Sequence, residues 1–270
     1  MYKTVEVFPK MKSFLKANRE RKLNKVFQKA SENGRQLQDI NSNADDFQCS
    51  SRGTKNYKEA ESLALKGWNP SNSKSTGIFR TNGKGNKVVR RTMTGPVGYV
   101  PHVPNAIAGR PDSMIYQKRI VEPQPMINIF VNISVDCHVS REQMQAATIN
   151  LFTALKDTKI NLCVGCAALT MKNSREIMEK LLLVIKLKDE TLMQKFFAVA
   201  HPSMLRRLFI RWVDTVPGLK SKKFIGGYGA STNFTLEELK ELGLQDYKVC
   251  NVKDFIGLDK EEILAKLRKL

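Results

Sequence analysis

Val131 to Met144 reads VNISVDCHVSREQM, an apolar run that turns polar and then passes into a helix. Val131, Ile133 and Val135 alternate with Asn132, Ser134 and Asp136, the period of a strand. Ser140 stands three residues before Gln143, the spacing of a capping box at a helix start. A buried strand that ends at a polar rim and feeds a helix is the opening unit of an α/β domain. The rim poses its own question, because Asn132, Ser134 and Asp136 carry hard oxygens that either hold a cation or close the sheet end by capping.

Patterning outward from this stretch predicts a strand over 126–135, a helix over 140–157 and strands over 160–169 and 181–187. A helical run over 190–213, a strand near 247–252 and a short helix over 259–269 complete the chain. Pro202 inside TLMQKFFAVAHPSMLRRLFIRWV predicts a break near His201. The alternation implies a partly parallel sheet flanked by helices.

The first half is different in kind. Residues 10–30 scatter Phe14, Leu15, Leu23, Val26 and Phe27 among lysines and arginines, which predicts a basic amphipathic helix with its charged side outward. Residues 31–56 are rich in turn formers and read as a linker. YKEAESLALKGWNPS then predicts a short helix ended by Gly67 and Pro70 and anchored by Trp68. A hairpin follows, with STGIFRT and KVVRRTM as strands and NGKGN as the turn. PVGYVPHVPNAIAGRPDSMI is expected to order against the sheet through Tyr99, Val103, Ile107 and Met114. Three regions result: a basic helix and linker over 1–56, a basic helix and hairpin region over 57–120 packing on the core, and an α/β domain over 121–270.

Charge narrows the function classes. The chain has 45 Lys and Arg against 26 Asp and Glu, a formal net charge of +19. Residues 1–120 carry 23 basic and 9 acidic side chains, net +14, whereas 121–270 carry 22 and 17, net +5. A concentrated basic surface attracts polyanions and releases their condensed counterions, so nucleic acid is the first partner to consider. Lys74, Arg80, Lys84, Lys87, Arg90 and Arg91 would track phosphates, with Phe79, Trp68 or Tyr99 stacking on bases. The competing account is a solvated edge hairpin whose lysines prevent edge-to-edge pairing. An anionic membrane is not expected as a partner, and no run approaches the roughly 18 apolar residues of a bilayer span. Five cysteines, mostly in apolar runs such as INLCVGCAAL, fit reduced thiols and a cytoplasmic setting.

YKEAESLALKGW, GYVPHVPNAIAGRPDSMI, INIFVNISVDCHVSREQM and FAVAHPSMLRRLFI, in this order, resemble a family of tailed-phage proteins of uncharacterised function. The C-terminal half of that family is similar to a von Willebrand factor A-type domain, a Rossmann-like α/β fold. The resemblance covers roughly residues 57–213 and implies the cytoplasm of an infected bacterium as the setting. In metal-competent von Willebrand A-type domains the first strand ends in Asp-x-Ser-x-Ser, which supplies Mg²⁺ ligands together with a later Thr and Asp. The matching positions are Asn132, Ser134 and Asp136, so only the central Ser is kept. Thr170 and Asp214 are the candidates for the later ligands. The exchanged positions imply a degenerate site whose polar residues cap the next helix, and no cofactor is expected.

Other chemistry finds little support. Cys163 and Cys166 have CxxC spacing without a second ligand pair; Cys137 and His138 lie nearby in sequence and would have to complete a metal cluster, and packed strand cysteines are the expectation. His201 has no nucleophile and orienting acid at a recognisable spacing, and His102 and Arg110 occur without a chemistry that requires them. Arg206 and Arg207 are solvent or phosphate contacts at best. Carboxylates are too few in the basic half for a two-metal nuclease, and no nucleotide-binding fingerprint occurs. No catalytic residue is assigned. The expectation is a non-enzymatic phage protein that binds nucleic acid, single-stranded DNA first, in phage transcription or replication, with a phage RNA polymerase or another replication protein as partner. The alternatives are a von Willebrand A-like interaction module for an AAA+ ATPase or polymerase, working through the rim at Ser134 and Asp136, and a DNA-facing virion component.

Overall fold

A computed structural model describes residues 2–24, 53–70, 86–123, 126–136, 138–155, 160–172, 176–187, 193–217, 219 and 232–269. Residues 31–52 of the linker expected over 31–56, the predicted strand STGIFRT, Lys74, Phe79, Arg80, Lys84, Val26, Phe27, Cys49 and Cys137 lie outside the described residues. The chain divides into two compact units, Gly83–Met126 on the one hand and Met1–Asn82 with Ile127–Leu270 on the other.

The larger unit is built on β1 (Tyr2–Phe8), β5 (Ile127–Asn132), β6 (Ile160–Lys172), β7 (Glu176–Lys186) and β8 (Lys248–Asn251), in the order β1-β7-β6-β5-β8. β5 runs parallel to β6 and β8, β1 runs parallel to β7, and only the β6–β7 neighbours are antiparallel. The result is a mixed α/β fold with a mostly parallel five-stranded sheet, compatible with a Rossmann-like arrangement.

Strands buried on both faces read as continuous apolar runs, and the central three do so here. Ile129 and Val131 of β5, Leu162, Val164 and Cys166 of β6, and Leu181, Leu183 and Ile185 of β7 join the main core. Their alternates Phe130, Cys163, Ala167, Leu182 and Val184 join a smaller core on the other face. Gly165 is required where β6 passes Phe130, since a Cβ there would sit 2.2 Å from the ring. The main core is closed by α1 (Met11–Glu20), α2 (Tyr57–Lys66), α4 (Arg141–Ala154), α5 (Met193–Ala200), a π-helical turn (Met204–Phe209), α6 (Ile210–Thr215) and a 3-10 turn (Val252–Phe255). The smaller core is closed by α7 (Leu236–Glu241) through Leu239, and α8 (Lys260–Lys269) packs on α4. No helix among the described residues is long and apolar enough to cross a membrane.

Several expectations change in detail. The N-terminal helix is shorter than residues 10–30: it stops at Glu20, and Arg21 turns extended with φ −74° and ψ 137°. The Arg21 guanidinium grips both Glu6 oxygens at 2.8 Å, which fixes the chain leaving the helix against β1. The break near Pro202 falls between α5 and the π-helical turn.

The smaller unit is a three-stranded antiparallel sheet of β2 (Asn86–Gly95), β4 (Met114–Pro123) and the short β3 (Val100–Pro101), with α3 (Val103–Ile107) in the connection. The proline-rich connection does not order through its large side chains as expected. Tyr99 and Val103 are each 60 % exposed and Ile107 is 83 % exposed. Backbone and short polar bonds hold it instead: Tyr99 N–H to Ile115 O at 2.9 Å, His102 N–H to Ser113 O at 2.7 Å and Asn105 Nδ2 to Asp112 O at 3.0 Å.

Candidate nucleic-acid interface and the sheet rim

The register of β2 against β4 decides what the basic segment presents. Arg90 pairs directly with Arg119 and Arg91 with Lys118. Directly opposed residues share a face of the ladder and successive residues alternate. One cationic pair therefore stands on each face at the same level, and all four side chains are exposed. Like charges directly opposite cost stability, so their own repulsion does not explain the pairing. Each pair borders other groups able to meet a nucleotide: Thr92 and Gln117 beside Arg90, Met93 and Tyr116 beside Arg91. The unit carries seven Lys and Arg against Asp112 and Glu122.

Of the sequence-predicted phosphate contacts, Arg90 and Arg91 lie on this ribbon, and Lys87 lies on β2 opposite Glu122. Lys118, Arg119 and Tyr116 were missed because the 114–123 strand was not recognised. Its signal, the run MIYQKRIV with β-branched and aromatic residues, follows directly on the proline-rich segment. Tyr99 belongs to the same unit and is exposed. Trp68 belongs to the larger unit, where its ring packs on the core and meets His201 edge-on at 5.2 Å.

The rim at the end of β5 is a hydrogen-bonded closure. Asn132 is buried, and its Nδ2 donates to Thr232 O at 2.9 Å and to Asn251 Oδ1 at 3.2 Å, tying β5 to β8. Its Oδ1 accepts the Ser134 N–H at 3.1 Å. The buried Ser134 hydroxyl accepts the Ala167 N–H at 2.7 Å and donates to Ala167 O at 3.3 Å, so it continues the ladder to β6 beyond the last strand pair. Asp136 is exposed at the turn, where its carbonyl accepts the Val139 N–H. Thr170 lies three residues beyond Ala167 on β6, about 10 Å along the strand, and its hydroxyl donates to Glu179 O. Asp214 sits on α6, where its carbonyl accepts from Asn24, beside residues that bond β1. β1 and β5 are three strand spacings apart, about 14 Å. The five oxygen-bearing residues are thus not gathered into one shell, and no His, Cys, Asp and Glu group suited to a metal occurs among the described residues. Ser140 and Gln143 do form the expected capping box, at 3.2 and 3.0 Å.

The remaining candidates resolve into packing. Cys163 and Cys166 are three apart on one strand, which turns them to opposite faces, and each is buried in a different core. Burial pushes the Cys166 thiol well up and that of Cys250 to about 12. His201 Nδ1 lies 2.7 Å from Ser203 Oγ and also accepts the Ser203 N–H, closing the turn after α5. Burial, followed by the charge of Arg141, pushes the imidazole down to about 4, so it is neutral near pH 7. Arg207 is not a surface contact: it is 1 % exposed and donates to Thr54 Oγ1 at 2.9 Å and Thr54 O at 2.7 Å. Arg206 donates to Val139 O at 2.6 Å.

The family model of a domain of unknown function (DUF7192) matches residues 3–255. No curated protein matches the chain. No solved structure matches it either.

Proposed function

We propose that this chain, which belongs to the DUF7192 family, is a non-enzymatic nucleic-acid-binding protein that grips its ligand with the β2–β4 ribbon. The observation that carries the proposal is the pairing of Arg90 with Arg119 and of Arg91 with Lys118 on an exposed ladder. Four cations held at one level lose part of their mutual repulsion when phosphates meet them, and the released counterions drive association. Tyr116 and Tyr99 add aromatic surface for a base. Lys87, Lys84, Arg80 and Lys74 extend the basic run in sequence, with Phe79 among them.

The sequence favours single-stranded DNA, in phage transcription or replication alongside a phage RNA polymerase, whereas the facing of the cations on the ribbon, argued below, favours a duplex. The test is binding of the full chain to labelled DNA across a salt series, repeated with Lys84, Lys87, Arg90 and Arg91 all changed to Ala. The proposal expects weaker binding and a shallower salt slope. Binding unchanged in strength and slope would remove the ribbon from the interface.

A second reading has its own observation. β5 has parallel neighbours on both sides, and open α/β sheets bind ligands outside the carboxyl ends of strands where the order reverses. This is the end that carries Asn132, Ser134 and Asp136, so a von Willebrand A-like module would meet an AAA+ ATPase or a polymerase there. Because Asn132 and Ser134 are buried, Asp136 and His138 would form the contact. Asp136→Ala with His138→Ala would then abolish partner capture while leaving DNA binding intact.

A further inference from the structure

We infer that the ribbon enters a groove of a nucleic-acid duplex, with phosphates on both sides of it, an inference that rests on the nucleic-acid reading proposed above. The distinguishing observation is which way the cations face. Arg90 and Arg119 occupy one face of the ladder and Arg91 and Lys118 the other, and all four are exposed. A single strand laid along a sheet, or the flat surface of an anionic membrane, meets one face and leaves the other pair in water. A groove presents a phosphate wall to each face at once.

Size agrees with this. Among the described residues the ladder at Arg90 and Arg91 is two strands wide, since β3 pairs only with Met114 and Ile115. Two strands lie about 4.8 Å apart, and a major groove about 12 Å wide and 8.5 Å deep admits a two-stranded ribbon. The side chains flanking the cations along each face, Thr92 with Gln117 and Met93 with Tyr116, point the same way as the cations and would lie along the same two walls rather than stack in series on bases.

The experiment compares a labelled duplex with either of its single strands, at matched length and several salt concentrations, using the full chain and two double variants. Arg90→Ala with Arg119→Ala strips one face; Arg91→Ala with Lys118→Ala strips the other. Each removes a like-charge pair, and circular dichroism with thermal melting verifies folding. The inference expects the duplex to bind several-fold more tightly than the single strand. Both variants should lose duplex affinity, each with a log–log salt slope shallower by about 1.8, the loss of two phosphate contacts. Loss in only one variant, or equal or tighter binding of the single strand, overturns groove entry while leaving nucleic-acid binding in place. No binding of either DNA overturns groove entry, and no binding of RNA in the same assay overturns the nucleic-acid reading with it.

Discussion

Arg119 stands directly across the β2–β4 ladder from Arg90, so an exposed level of the ribbon carries a pair that weakens it. Arg119→Glu turns the repulsive pair into an attractive one. The ribbon should gain about 0.2–1 kcal/mol, measured as slower amide exchange in β2 and β4, while DNA affinity falls. Stability and binding moving in opposite directions would mark a pair kept for its ligand. A variant that loses neither affinity nor salt dependence would count against Arg119 as a contact.

Lys180 and Glu238 form an ion pair at 2.8 Å with both side chains almost withdrawn from water. Lys180 also donates to Asn233 O, and Glu238 accepts the Thr235 N–H in the capping box that starts α7. This clamp seals the smaller core. Glu238→Ala leaves a buried ammonium and an open cap, and should cost about 3 kcal/mol in urea unfolding. Lys180→Met combined with Glu238→Leu should recover much of that loss, because no uncompensated charge remains.

Ser134→Ala tests the rim as a closure. It leaves the buried Ala167 N–H without its acceptor, and should cost about 1–3 kcal/mol. The loss should be the same in Mg²⁺ and in EDTA. A stabilisation of the parent chain by Mg²⁺ that vanishes in Ser134→Ala would restore the cation site at Asn132, Ser134 and Asp136.

His201 makes stability depend on pH. Its folded value of about 4 lies below the ordinary imidazole value of 6.5, chiefly because burial disfavours the charged ring. Between these values the unfolded chain binds more protons than the folded one, so stability is full above about pH 6.5 and falls as pH drops toward 4. The window is worth up to about 3 kcal/mol. Urea midpoints measured from pH 7 to pH 4 should decline, and His201→Asn should flatten the part of that decline due to one proton.

The strands of the larger unit were legible where both faces are apolar, since INIFVN and INLCVGCAAL admit little else. The Pro202 break and the Ser140 cap were legible because each is a local backbone rule. β1 was passed over: YKTVEVF alternates, but Glu6 looks like a solvent residue until Arg21 and Trp212 are seen to bond it. The start of α7 was available in Thr235 and Glu238, followed by Gly243 at φ +65°. β4 was hidden for a physical reason. Gln117, Lys118 and Arg119 are all exposed and give no apolar alternation, so only the β-branched and aromatic residues of MIYQKRIV mark the strand. Half of the candidate interface therefore became visible only through register, which no composition or spacing reports.

The central claim is that the chain binds nucleic acid through this ribbon. The most direct measurement is fluorescence anisotropy of the full chain with labelled single-stranded DNA, duplex DNA and RNA at low and physiological salt. The account predicts saturable binding of at least one ligand, weakening steeply as salt rises, with a log–log slope that reports several phosphate contacts. Affinity no better than about millimolar for all three at low salt, where even non-specific binders hold more tightly, would contradict it.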